Sequence, residues 1–216
     1  MPQKGMNLTK DFVKKLDMDY LLYLPEDYDG VKKFPVIFFL HGTGERGKNL
    51  DLVKKHGVSK IAEAKPNFPF IVVSPQCPVG FPWISLIDEL YELLSEIKTE
   101  YSVDEKRVFF TGLTIGAEAS WLMAIKHPEE ITGIVPLTGG WKNQEDLLNL
   151  KNVAVWAFHG EKDTIAPVES TKTTVDFLIE NNGNAKLTVL PECGHDVWTT
   201  TYASDELYEW MLAQSK

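Results

Sequence analysis

Thr114 stands midway between two glycines, in Gly112-Leu113-Thr114-Ile115-Gly116, where the apolar run RVFFTG gives way to a stretch of helical period. A sharp strand-to-helix turn of this kind holds its middle residue in a strained conformation above the sheet, and it needs small residues on both flanks so that neighbouring backbone can approach. The hydroxyl of Thr114 is therefore a candidate nucleophile. An acid, Asp163, and a histidine, His195, follow in that order, each just after a predicted strand. Nucleophile, acid and base in this order are the parts needed to activate a hydroxyl: His195 to take and return its proton, Asp163 to fix the imidazole tautomer. Taken singly, a Gly-x-Thr-x-Gly turn, an acid ahead of Pro167 and a loop histidine beside Asp196 are ordinary loop features; their joint order carries the signal.

An acyl-transfer site also needs donors for an oxyanion. The helix after Thr114 begins with unpaired backbone N–H groups, that of Ile115 among them. A second donor is expected from Thr43 in the glycine-rich stretch His41-Gly42-Thr43-Gly44-Glu45-Arg46-Gly47. Gly42, Trp83 and Trp198, with Phe81, are expected to wall an apolar, aromatic cleft. His41 and His159 precede glycines at strand ends and read as hydrogen-bonded loop anchors, whereas His56 and His127 read as helix-face or helix-end residues. With no HExxH or CxxC, the sequence predicts neither a metal nor a cofactor.

The elements that would position these residues are an alternation of short apolar runs with longer amphipathic stretches, which implies an α/β fold with a mostly parallel sheet and helices on both faces. Strands are expected at 19–25, 35–42, 70–75, 107–112, 133–139, 153–160 and 186–191. Leu86, Ile87, Leu90, Leu93, Leu94, Ile97 and Tyr101 follow helical spacing, as do the stretches 115–127, 168–180 and 205–212. In such a sheet ligands bind beyond the carboxyl ends of the strands, where all the residues singled out above fall.

The 216 residues, 44% hydrophobic and 25% charged, suit one domain over 1–216, without an insertion large enough for a lid. A net charge of −9 argues against a nucleic-acid or anionic-membrane partner. No apolar run approaches a membrane span, so the chain is expected to be soluble, in the cytoplasm or secreted with a signal removed. Cys77 and Cys193 define no disulfide framework, and their pairing stays open.

In LHGTGERG, VVSPQCP with Trp83, YSVDEKRVFFTGLTIGAEASW, VWAFHGEKDTIAPV and PECGHDVWTTTY the sequence resembles small esterases of the α/β-hydrolase superfamily, in particular the group related to polyhydroxybutyrate depolymerases and phospholipase/carboxylesterases. The likeness runs from about residue 20 to the C-terminus. It implies hydrolysis of a small-molecule ester through an acyl-enzyme, with Thr114 at the nucleophile position, Asp163 and His195 as acid and base, and Thr43 and Ile115 as backbone oxyanion donors. The group has serine where this chain has Thr114, commonly Met or Gln at Ile115, and usually Ala, Gly or Arg at Thr43. A β-branched residue is a poor occupant of a strained turn, and a reacting atom misplaced by about 1 Å costs on the order of a hundredfold in rate. The expectation is an impaired esterase. The alternative is an inactive or altered hydrolase fold that binds a ligand without turnover.

Overall fold

The structure, a computed structural model, describes residues 17–216. Among these residues seven strands form a single sheet: β1 (Tyr20–Tyr23), β2 (Phe34–Leu40), β3 (Ile71–Pro75), β4 (Val103–Leu113), β5 (Gly133–Leu137), β6 (Ala154–Gly160) and β7 (Ala185–Leu190). Their spatial order is β1-β3-β2-β4-β5-β6-β7, with β1 antiparallel to β3 and every other pair parallel. This is the α/β-hydrolase arrangement of a mostly parallel sheet covered by helices.

The strands that read as continuous apolar runs are the inner ones. All seven residues of β2 are buried: Val36, Phe38 and Leu40 enter the core on one face of the sheet, Ile37 and Phe39 the core on the other. That division follows from the two-residue period of a strand. One core is closed by α2 (Ile87–Glu100) and α3 (Ile115–Lys126), the other by α1 (Gly57–Ala64) and α7 (Asp205–Ala213). The short α4 (Gln144–Leu147) and α5 (Val168–Glu180) follow β5 and β6, and α6 (Trp198–Ala203) follows β7.

Most strand boundaries agree with the sequence reading to within two residues, and β4 is the main difference. It begins at Val103 rather than 107, because Phe34 pairs with Val103 before an irregularity in the β2–β4 ladder. The polar residues Asp104 to Lys106 hid this start. Among the described residues no helix is long and apolar enough to cross a membrane, and Cys77 and Cys193 are both free.

Candidate active site

Thr114 is the residue between β4 and α3, with φ 51° and ψ −108°. A positive φ is costly for a β-branched side chain, on the order of 1–3 kcal/mol. The surroundings hold it there. Its N–H donates to Leu137 O at 3.0 Å, and its carbonyl accepts from Ala117 N at 3.0 Å and Glu118 N at 3.2 Å. The flanking glycines are required sterically: a Cβ on Gly112 would lie 2.5 Å from the Gly116 backbone, and one on Gly116 would lie 2.0 Å from Leu40 O. Only bare backbone lets α3 start this close to the sheet.

The side chain of Thr114 has turned inward. Its Oγ1 accepts from Ile115 N–H at 2.6 Å, so the hydroxyl oxygen sits on the first free donor of α3. The Cγ2 methyl faces Gly42, lying 3.2 Å from where a Cβ on that glycine would be. The methyl therefore occupies space between the turn and the loop that carries Thr43. Thr43 opens a helical turn over Thr43–Glu45, and the N–H of a first-turn residue has no partner within that turn.

Asp163 and His195 come together from the loops after β6 and β7. His195 Nδ1 lies 2.7 Å from Asp163 Oδ2, and the carboxylate side chain is fully enclosed. Asp163 Oδ1 accepts from Ile165 N at 2.8 Å and Ala166 N at 3.0 Å. Burial by itself would raise the carboxyl pKa, yet the hydrogen bonds from Ala166 N–H, His195 and Ile165 N–H outweigh it and hold Asp163 below the ordinary carboxylate range. With Asp163 ionised, Nδ1 of His195 carries a proton and Nε2 is left as the acceptor. The two loops touch because residue 160 is glycine: a Cβ there would meet Gly194 O at 2.0 Å and Cys193 O at 2.5 Å.

Two histidines read from sequence as loop anchors have that place, and one reaches further. His41 is buried, accepts from Cys77 N–H at Nε2 (3.0 Å) and so carries its proton on Nδ1, 2.7 Å from Gly42 O. Burial lowers its pKa from 6.5 to about 4. His159 is also buried; Nδ1 pairs with Thr171 Oγ1 at 2.7 Å, and Nε2 lies 2.9 Å from Ala166 O and 3.2 Å from Asp163 Oδ2. Nε2 therefore carries the proton, which Ala166 O accepts, and the same ring edge stands against the Asp163 carboxylate.

Thr114 and His195 share a cleft of about 330 Å³, lined also by Gly42, Thr43, Glu45, His56, Leu113, Ile165 and Trp198. Among the described residues, Thr114 Oγ1 makes no hydrogen bond to His195. A smaller hollow beside β1 and α1 and a larger one near the C-terminus lie away from these residues. Of the residues expected as pocket walls, Gly42 and Trp198 line the cleft, and Trp198 packs edge-on to His195 with centroids 5.5 Å apart. Trp83 does not. It is fully buried, its indole N–H donates to His41 O at 2.9 Å, and its ring packs on His41, so it supports the loop from beneath. Phe81 is exposed outside the lining. Glu45, His56 and Ile165 are walls the sequence reading missed; the position of Glu45 inside the glycine-rich loop was the available signal.

The phospholipase/carboxylesterase family model matches residues 83–205, more than half of the chain and inclusive of Thr114, Asp163 and His195. The chain belongs to the phospholipase/carboxylesterase family. Among curated relatives of this family member, feruloyl esterase C of Emericella nidulans is 26% identical over 174 residues, covering 76% of this chain and 62% of that protein. A probable feruloyl esterase C of Aspergillus niger is 25% identical over 198 residues, covering 85% and 69% respectively. The crystal structure of a thermostable esterase superposes with a TM-score of 0.84 at 28% identity, covering 92% of this chain and 60% of the other. The chain thus spans about three fifths of the length of several proteins it resembles. The scaffold is that of a carboxylesterase-type hydrolase.

Proposed function

We propose that this chain hydrolyses a small carboxylic ester through an acyl-enzyme on Thr114, slowly because threonine replaces serine. The observation that carries the proposal is the Asp163–His195 pair, 2.7 Å apart with an acceptor nitrogen to spare, on the same cleft as Thr114. In the reacting complex the Thr114 hydroxyl rotates away from Ile115 N–H towards His195. His195 Nε2 takes its proton as Oγ1 attacks the ester carbonyl, and the N–H groups of Ile115 and Thr43 receive the oxyanion. The leaving alkoxide takes the proton from His195 and departs as the alcohol. Water then gives a proton to His195 while its oxygen attacks the acyl carbon, and the proton returns to Thr114 as the carboxylic acid leaves.

The same rotation explains the predicted impairment. At rest Oγ1 holds the donor that must serve the oxyanion, and moving it swings the Cγ2 methyl from the Gly42 side into space a substrate or the imidazole needs. The relatives named feruloyl esterases recommend an aromatic acyl ester among the substrates tested.

A second reading, ligand binding without turnover, is favoured by the hydrogen bond between Thr114 Oγ1 and Ile115 N–H. Hydrolysis of p-nitrophenyl acetate and methyl ferulate by the parent, Thr114→Ser, Thr114→Ala and His195→Ala separates the two. A triad predicts faster turnover with Thr114→Ser and none above background with either alanine. If serine rescues nothing and Thr114→Ala equals the parent, the catalytic reading is wrong.

A further inference from the structure

Glu45 is the carboxylate of the cleft lining, and the proposed reaction gives it no task. Its side chain is only 11% exposed, yet it lies on the cleft wall beside Gly42, where a Cβ would come 3.4 Å from Oε2. Its backbone is fixed: Gln76 Nε2 donates to Glu45 O at 2.7 Å and to Asn49 O at 2.9 Å, so the carboxylate is presented by a pinned loop. Among the described residues the carboxylate accepts no hydrogen bond and has no lysine or arginine within 4 Å. The groups facing it are two imidazoles, His41 Nδ1 and His56 Nε2, each 3.9 Å away. His41 directs its Nδ1 proton to Gly42 O, and burial disfavours its charged form, so it is no cation for Glu45. The carboxylate oxygens still reach solvent, and a ligand that brings a cation to them replaces water with a charge-assisted hydrogen bond.

The position of Glu45 along the cleft says which half of the ester it meets. Trp198 packs edge-on against both His195 and His56, so these three side chains form one wall running from the acid–base pair to Glu45. The alcohol half leaves from the side of His195, which protonates it, and therefore lies along that wall. Trp198 also lies beside the path, and the face of an indole ring attracts cations.

We propose that Glu45 makes the cleft selective for esters whose alcohol half ends in a protonated amine. The inference rests on the reading of the cleft as an ester site and names the substrate class that site prefers.

The test uses a pair of equal shape, 2-(dimethylamino)ethyl acetate, protonated at neutral pH, and its uncharged counterpart 3-methylbutyl acetate. Calorimetric Kd values are measured first on Thr114→Ala, where binding is read without hydrolysis and Glu45 is untouched. The cationic ester is expected to bind about tenfold tighter at low ionic strength, with the advantage shrinking as salt is raised. Equal binding overturns the proposal. The kcat/KM ratio of the two esters is then compared between the Thr114→Ser protein and the same protein carrying Glu45→Gln, so that intrinsic reactivity cancels. A fall in the ratio of about tenfold supports the assignment; a fall of less than threefold overturns it. Absence of turnover in Thr114→Ser, by contrast, sinks the esterase reading and leaves the Kd comparison to decide the role of Glu45.

Discussion

The two arms of the cleft are built to different tolerances. On the β6–β7 arm, Asp163 is held by two backbone N–H groups and faces both His195 and His159, and each contact fixes the others. On the β4–α3 arm, backbone packing fixes where Thr114 sits but not where its hydroxyl points; one χ1 rotation separates Ile115 N–H from the cleft. Several mutual hydrogen bonds thus fix the Asp163–His195 pair, whereas the direction of the Thr114 hydroxyl rests on a single rotamer.

Breaking the stronger arm should have the largest effect. In a Thr114→Ser background, Asp163→Asn is expected to lower kcat about 10⁴-fold, because the amide no longer fixes the His195 tautomer. Steady-state kinetics on an activated ester will show this, and a loss below tenfold would remove Asp163 from the mechanism.

The next effect concerns stability and falls on His41, under the nucleophile arm. Its pKa is about 4 in the folded protein against an ordinary 6.5, so from pH 6.5 downward the unfolded chain binds a proton that the native chain refuses. Native stability is therefore full above pH 6.5 and falls towards pH 4, by about 3 kcal/mol from this group. Asp163 adds to the same limb lower down, since its depressed pKa stabilises the fold above the ordinary carboxylate value and that stabilisation fades as pH falls through the folded value. Urea unfolding at a series of pH values should show this slope, and His41→Gln should flatten its upper part.

Relieving the weaker arm comes third. Thr114→Ser is expected to raise kcat about 100-fold, the scale of a misplacement of about 1 Å, with little change in urea midpoint beyond the relief of strain at φ 51°. A rate gain below threefold would mean that the methyl is not what limits the arm. The smallest effect is expected from Trp83→Phe. Losing the indole bond to His41 O should cost about 1–3 kcal/mol of stability because a buried carbonyl is left without that donor. Thermal unfolding reads it, and substrate selectivity should stay unchanged because Trp83 lies outside the cleft lining.

The two arms also differed in how far they could be read from sequence. Thr114, Asp163 and His195 stood out because each follows a strand run rich in apolar residues, fully buried in β6 and at the end of β4 and partly buried in the edge strand β7. The walls between them did not stand out. Ile165 and His56 reach the cleft only through the three-dimensional course of their loops, which no periodicity encodes. Trp83 misled for the opposite reason: an aromatic residue after a strand end can turn inward as readily as outward, and here the free carbonyl of His41 drew its N–H under the loop. Helix α1 was missed because it is only eight residues long and starts at a glycine with φ 72°. The start of β4 was masked by its charged residues, which lie in a stretch of strand that is partly exposed.

Gly160 carries no functional group, lies at the end of β6 and touches the opposite loop through bare backbone. Its contribution is a vacancy the size of one methyl group, filled by the carbonyls of Cys193 and Gly194. Even alanine at this position would drive the β7 loop outward and pull His195 from Asp163, with every reacting residue still in place. Gly160 is thus as intolerant of a side chain as Gly116 under the turn, and a search for reactive side chains would pass over both.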